Sequence, residues 1–132
     1  SADAGMSEIL FVGHIGKLIK VAGGVKNTHS KYGDRRMEIM ADCLPDTLDE
    51  QVRNEWTDRI FGCNTTEEAL EYLKSWGICD QVMHTAVSRM QHYMKQWAGG
   101  NCDVQVVTFS TVYGILGKTS DSDRMIERWR HS

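Results

Sequence analysis

A chain of 132 residues with a net charge of −3, 41% hydrophobic and 25% charged side chains is long enough to bury one core without disulfides or metal, and too well mixed to be disordered. Residues 34–80 carry 12 acidic against 5 basic side chains, residues 1–33 carry 2 against 4 and residues 81–132 carry 4 against 6; the acidic middle excludes a broad basic footprint and reads first as a solvated face. The single proline, Pro45, suits a helical protein.

Residues 1–5 read as a flexible or appended head before a start at Met6, and residues 6–132 as a single helical domain, complete or a piece of a longer chain. Met6 to Ala22 is apolar in patches, but Glu8, His14, Lys17 and Lys20 interrupt it, so it is neither a signal h-region nor a membrane span. The expected setting is therefore intracellular, most simply cytoplasmic, with no membrane insertion. Ile9, Leu10, Val12, Ile15, Leu18, Ile19 and Ala22 suit one buried helix face, at a cost of about 1 kcal/mol for each of Gly13 and Gly16. The rival is a short strand at Ile9 to Val12, a turn and a helix.

Gly23 to Asp34, rich in turn formers and basic side chains, is the clearest loop. Asp34 can cap a helix through Leu44, with Met37, Met40, Ala41 and Leu44 inward and Pro45 closing it. Thr47 and Glu50 have capping-box spacing ahead of Leu48, Val52, Trp56 and Ile60, and Gly62 is the stop. Thr65 and Glu68 repeat the box ahead of Ala69, Leu70, Leu73 and Trp76, ended by Gly77. A long helix capped by Asp80 follows, with Met83, Val87, Met90, Met94 and Trp97 on one stripe and Gly99-Gly100 ending it. Val104 to Tyr113 is β-branched and aromatic, so propensity says strand. With no clear second strand to pair with it, the expectation is a buried helix. Ser120 or Ser122 caps the last helix, Asp121 to Arg130, with Met125, Ile126 and Trp129 inward.

Few of these stretches carry recognisable chemistry. Cys43, Cys63, Cys79 and Cys102 include no CxxC pair, which argues for free thiols. Gly13-His14-Ile15-Gly16 has the GxxG spacing of nucleic-acid-clamping KH modules, but only twelve residues precede it. Gly114 to Thr119 ends like a P-loop, yet Val112 stands where the motif needs glycine. His84 and His92 share a helix face about 12 Å apart, too far to share an ion. Asn64-Thr65-Thr66 is a formal glycosylation acceptor better read as a helix cap.

The expected fold is all-α, a compact bundle of five or six helices, with a short strand at 104–112 as the exception. The leading functional expectation is a non-enzymatic protein–protein interaction or self-assembly domain, of the kind found in regulatory adaptors or viral structural and accessory proteins. Its partner would be another protein or itself as a homo-oligomer, and it would use no cofactor and no metal. Its contact candidates are Trp97, Trp129, Met94 and Met90, from an inventory of seven Met and four Trp. The alternative is a nucleic-acid-binding module using a helix-turn-helix-like pair, Phe109 to Leu116 and Asp121 to Arg130, with Lys17, Lys20, Lys118, Arg124, Arg128 and Arg130 as phosphate contacts. A small enzyme with a site assembled from distant residues comes third.

Overall fold

The computed structural model describes residues 7–24 and 35–131. Strand β1 (Ser7–His14) leads directly into helix α1 (Ile15–Ala22). Four helices follow: α2 (Arg36–Asp42), α3 (Glu50–Phe61), α4 (Thr66–Ser75) and α5 (Cys79–Trp97). Strands β2 (Cys102–Ser110) and β3 (Gly114–Lys118) and helix α6 (Ser122–Arg130) complete the described chain.

The sheet has the order β1-β2-β3. β1 and β2 run parallel in unbroken register from Ser7↔Cys102 to His14↔Phe109, and β3 returns antiparallel beside β2 with a bulge between Thr108 and Phe109. The all-α expectation is thereby corrected: the fold is mixed α/β. Val104 to Ser110 is the central strand, and the strand-turn-helix reading of Ile9 to Ala22 replaces the single helix. Propensity was right about Val104 to Ser110, and the partner that this strand lacked was the rival strand at Ile9 to Val12. Such parallel pairing needs a crossover, and α1 to α5 supply it.

Side chains alternate across β2, so its two faces are covered by different layers. Val104 and Val106 enter the main core against α1 and α5. Val107 and the buried Gln105 lie on the face that meets α6, whose Met125 is fully buried. On α5 the buried stripe comprises Cys79, Val82, Met83, Ala86, Val87, Met90 and Met94, with each large side chain contributing about 1.5–3 kcal/mol. Gln91 ties this helix to the sheet by donating to the Val104 carbonyl at 2.8 Å. Gly117 lets β3 lie against the same helix, because a Cβ there would stand 3.3 Å from the Met83 carbonyl oxygen.

Local signals held best where backbone groups needed a partner. The Glu68 amide donates to Thr65 Oγ1 at 3.2 Å, and Glu68 accepts from the Asn64 amide at 3.1 Å, so the expected box opens α4. Gly77 then adopts φ +73° just past the helix end. The box expected at Thr47 does not form: α3 starts at Glu50, with Asp49 at the cap position making no side-chain bond. Asp80 lies inside the first turn of α5 rather than capping it. Asp34, the head 1–5 and the loop from residue 25 fall outside the described residues. No helix among the described residues is long and apolar enough to cross a membrane.

Candidate functional site

Parallel strands bring their carboxyl ends to one edge of the sheet, and ligands of open α/β sheets bind there. In this chain that edge gathers polar groups from β1, α4 and β2. His14 is both the last residue of β1 and the N-cap of α1. Its Nδ1 accepts from the Gly16 amide at 3.0 Å, so the ring proton sits on Nε2, which faces Glu67 Oε2 at 3.2 Å. A β-carbon on Gly16 would stand 3.1 Å from that Nδ1 and 3.3 Å from Thr66 Oγ1, so glycine is what lets ring and helix close on each other.

Glu67 is the centre of the arrangement. It sits in the first turn of α4, where the helix dipole favours a carboxylate. Besides His14, it accepts from Ser110 Oγ at 3.4 Å on Oε2 and from Thr66 Oγ1 at 3.3 Å on Oε1. The remaining lone pairs of a carboxylate stay available to an incoming donor. Ser110, almost fully buried, also accepts from the amides of Val112 and Tyr113 at 3.0 and 3.3 Å. That turn is completed by Gly114 at φ +77°. Thr108 donates to the Gly13 carbonyl at 3.1 Å and fixes the end of β1 against β2. Phe109 supports the imidazole edge-on, with ring centroids 5.8 Å apart. Beyond the turn, Lys74 Nζ lies 4.7 Å from the centre of the Tyr113 ring.

The side chains of His14 and Glu67 are 34% and 29% exposed, so the edge is open on one side. Such a fixed carboxylate can accept hydrogen bonds or hold a cation. Among the described residues no group of three His, Cys, Asp or Glu side chains stands together as a metal site.

A concavity of about 890 Å³ opens elsewhere, between the end of α1 and helices α2, α3 and α5. His84, Ser88 and His92 line it, as the shared helix face implies, together with Tyr93, Arg35 and Arg89. It begins where α1 ends, roughly 12 Å from His14 by helix rise. Its charges are already matched, Arg35 to Glu38 at 2.7 Å and Arg89 to Asp42 at 2.9 Å. Space marks this cleft, whereas convergent polar groups mark the strand ends.

The expected contact residues do not form a surface. Met90 and Met94 are core residues, and Trp97 is half-buried, stacked on Tyr93 at 6.0 Å. Trp129, expected inward, is 43% exposed and donates its indole proton to Glu8 Oε1 at 2.8 Å. The basic candidates are dispersed. Lys17 and Lys20 lie on α1, on the other side of the sheet from α6. Lys118 pairs with Asp123 at 2.8 Å, Arg124 with Asp121 at 3.8 Å, Arg130 with Glu127 at 3.4 Å, and Arg128 with Glu8 and Asp103. The helix-turn-helix and P-loop readings both fail because Gly114–Lys118 is a strand. The GxxG segment is the β1–α1 turn, and its glycines make room for the Leu18 and His14 side chains.

Sequence reasoning passed over Glu67, Thr66 and Ser110 and left His14 without a partner. His14 and Glu67 lie 53 positions apart, so no local spacing pairs them. The usable signal was a glycine-flanked histidine at the end of a strand-prone run.

These features define an α/β domain with a polar site at the carboxyl ends of a parallel strand pair. A family model described as "CbiD, C-terminal domain" matches residues 27–120, and the chain belongs to that family. It is similar to the cobalt-precorrin-5B C(1)-methyltransferase of Fusobacterium nucleatum, at 36% identity over 121 residues, covering 90% of this chain and 30% of that protein. The enzyme of the same name from Listeria monocytogenes serotype 4a is 36% identical over 131 residues, covering 93% and 33%. That from Clostridioides difficile is 36% identical over 126 residues, covering 93% and 30%. The chain thus spans about a third of the length of the curated relatives it matches. No solved structure gives a significant match. The relatives are enzymes, which overturns the expectation of a non-enzymatic interaction or assembly domain.

Proposed function

We propose that the chain is the C-terminal part of a cobalt-precorrin-5B C(1)-methyltransferase, and that its strand-end site helps to hold the reactants for methyl transfer to carbon. The observation that carries this reading is the coincidence of two facts. The family match covers most of the chain, and the fold gathers His14, Thr66 and Ser110 around the Glu67 carboxylate at the edge where such sheets bind ligands. Cobalt enters this scheme as part of the substrate.

Methyl transfer to carbon needs an electrophilic methyl group, best carried as an onium cation. The nucleophilic carbon supplies the electron pair of the new C–CH3 bond, and the donor's old bond breaks with its pair returning to the leaving atom, whose positive charge is lost. A carboxylate therefore attracts such a donor more strongly before transfer than during it. Interactions of that kind contribute to binding rather than to the chemical step. Glu67 accordingly serves to capture the donor, and His14 and Ser110 serve to keep its carboxylate aimed.

The test is methyl incorporation into cobalt-precorrin-5B from methyl-labelled S-adenosylmethionine, using this chain reconstituted with the remaining two-thirds of the Fusobacterium nucleatum relative. Incorporation that requires both polypeptides supports the assignment. Its absence from every combination, under conditions where the intact relative is active, overturns it.

A further inference from the structure

The two edges of the sheet are finished differently. β3 has five residues, two glycines, a terminal lysine and a bulge beside it, all devices that blunt an edge against further pairing. β1 has one glycine, Gly13, and neither the lysine nor the bulge. Its eight residues pair with β2 without a shift, it contains neither proline nor lysine, and its one charge, Glu8, is bound by Arg128 and Trp129 of α6.

In the middle of β1, Phe11 is 39% and Val12 is 58% exposed. Successive strand residues point to opposite faces, so among the described residues the strand is open on both sides at Phe11 and Val12, whereas Ile9 packs against the core and Glu8 meets α6. Their partners one strand inward, Val106 and Val107, are 0% and 7% exposed. The covering layers thus close over β2 and reach β1 only at its start, through Ile9 and Glu8. A regular edge strand whose apolar middle is open on both faces is either an aggregation hazard or a surface that receives another strand.

We infer that the outer edge of β1 is where the rest of the methyltransferase polypeptide docks, adding an extended apolar strand to the sheet and covering Phe11 and Val12. The inference rests on the family reading. The matched family is a C-terminal domain, and the relatives are about three times as long as this chain. A C-terminal domain follows the rest of its polypeptide in the chain, on the N-terminal side where β1 lies, and a covalently joined segment acts at an effective concentration on the order of millimolar. The open strand ends at His14, so the docked polypeptide would border the exposed side of the Glu67 site.

The experiment mixes this chain with the separately purified N-terminal two-thirds of the Fusobacterium nucleatum relative and measures association by sedimentation and titration calorimetry. Three forms of the chain are compared: unmodified, Phe11→Glu with Val12→Lys, and Val112→Lys with Ile115→Lys at the β3 end. Matching melting curves establish that all three fold. A one-to-one complex with the unmodified chain and the β3-end variant, weakened at least tenfold by the β1 variant, supports the inference. No complex, a complex indifferent to the β1 changes, or a β1-dependent dimer of this chain alone each overturns it. Methyl incorporation is read in the same mixtures, so a complex formed through another surface with activity retained refutes the docking site and leaves the methyltransferase reading standing.

Discussion

Replacing Thr119 by Val isolates the hydrogen bonds that close the β2–β3 hairpin, because the two side chains have nearly the same shape. Thr119 is 6% exposed, and its Oγ1 accepts from the Val106 amide at 3.0 Å and donates to Gln105 Oε1 at 2.5 Å. Valine strands both partners, and Val106 and Gln105 are 0% and 3% exposed. Leaving the buried amide unsatisfied costs about 1–3 kcal/mol, and losing the bond to Gln105 about 1 kcal/mol more. The expected loss is about 2–4 kcal/mol, which at this chain length lowers Tm by about 8–16 °C. Thermal and urea unfolding followed by circular dichroism measure it. Gln105→Met in the same background should recover about 1 kcal/mol, since it removes the stranded Gln105 oxygen and leaves only the Val106 amide unpaired. A loss under about 0.5 kcal/mol, or strictly additive effects, refutes the argument that this network holds the hairpin and with it the Ser110 turn.

Other expectations are narrower. Glu67→Gln should raise KM for the methyl donor about tenfold or more with kcat changed less than about threefold, since a charge that binds an onium group is worth roughly 1.4 kcal/mol or more; the reverse split, measured on the reconstituted enzyme, refutes donor capture. Burial pushes the Cys43 thiol up to about 11 against the partial relief given by Arg89, and burial raises Cys63 and Cys79 as well. A thiol reagent at pH 7.5 should label half-exposed Cys102 first and Cys43 only on unfolding, as peptide mass analysis will show. Because folded Cys43 keeps its proton above the unfolded value of 9.0, its stabilisation is complete below pH 9 and is lost as pH rises through about 11. The loss is on the order of 2–3 kcal/mol and should be absent from Cys43→Ala unfolding curves. Glu8 is held below the ordinary carboxylate range by the Trp129 indole first and Arg128 second. The contact is present above pH 4.5 and released as pH falls through the depressed value, so the Trp129 indole proton resonance should shift only below pH 4.5.

The parts of this fold that could be read from sequence are those decided within a few residues. Thr65 and Glu68 announce the start of α4, Gly77 its end, and the Met83–Met94 stripe the buried side of α5. What escaped depends on pairs far apart. Ile9 to Val12 looks helical when taken with Ile15 and Ile19 because an edge strand open on both faces lacks the alternation that marks a half-buried one. Without β1 as a recognised strand, Val104 to Ser110 had nothing to pair with. The site failed to register for the same reason: His14, Glu67 and Ser110 belong to three segments that meet only after the parallel pair forms. Trp129 misled in another way. Its ring looked like core, but its N–H has a carboxylate on β1, and the residue stays at the surface.

The pairing of β1 with β2 also sets an order of events during synthesis. The last residue of β1 is His14 and the first of β2 is Cys102, so β1 must wait for nearly the whole helical crossover before its ladder with β2 can begin. At about 5–20 residues per second that wait is roughly 4–18 s. The helices form from local contacts meanwhile, and the closing step is the long-range one, which dominates folding time in chains of high contact order. For that interval β1 carries a bare inner edge, the edge that β2 will cover, and that is where a holding chaperone would bind it most strongly.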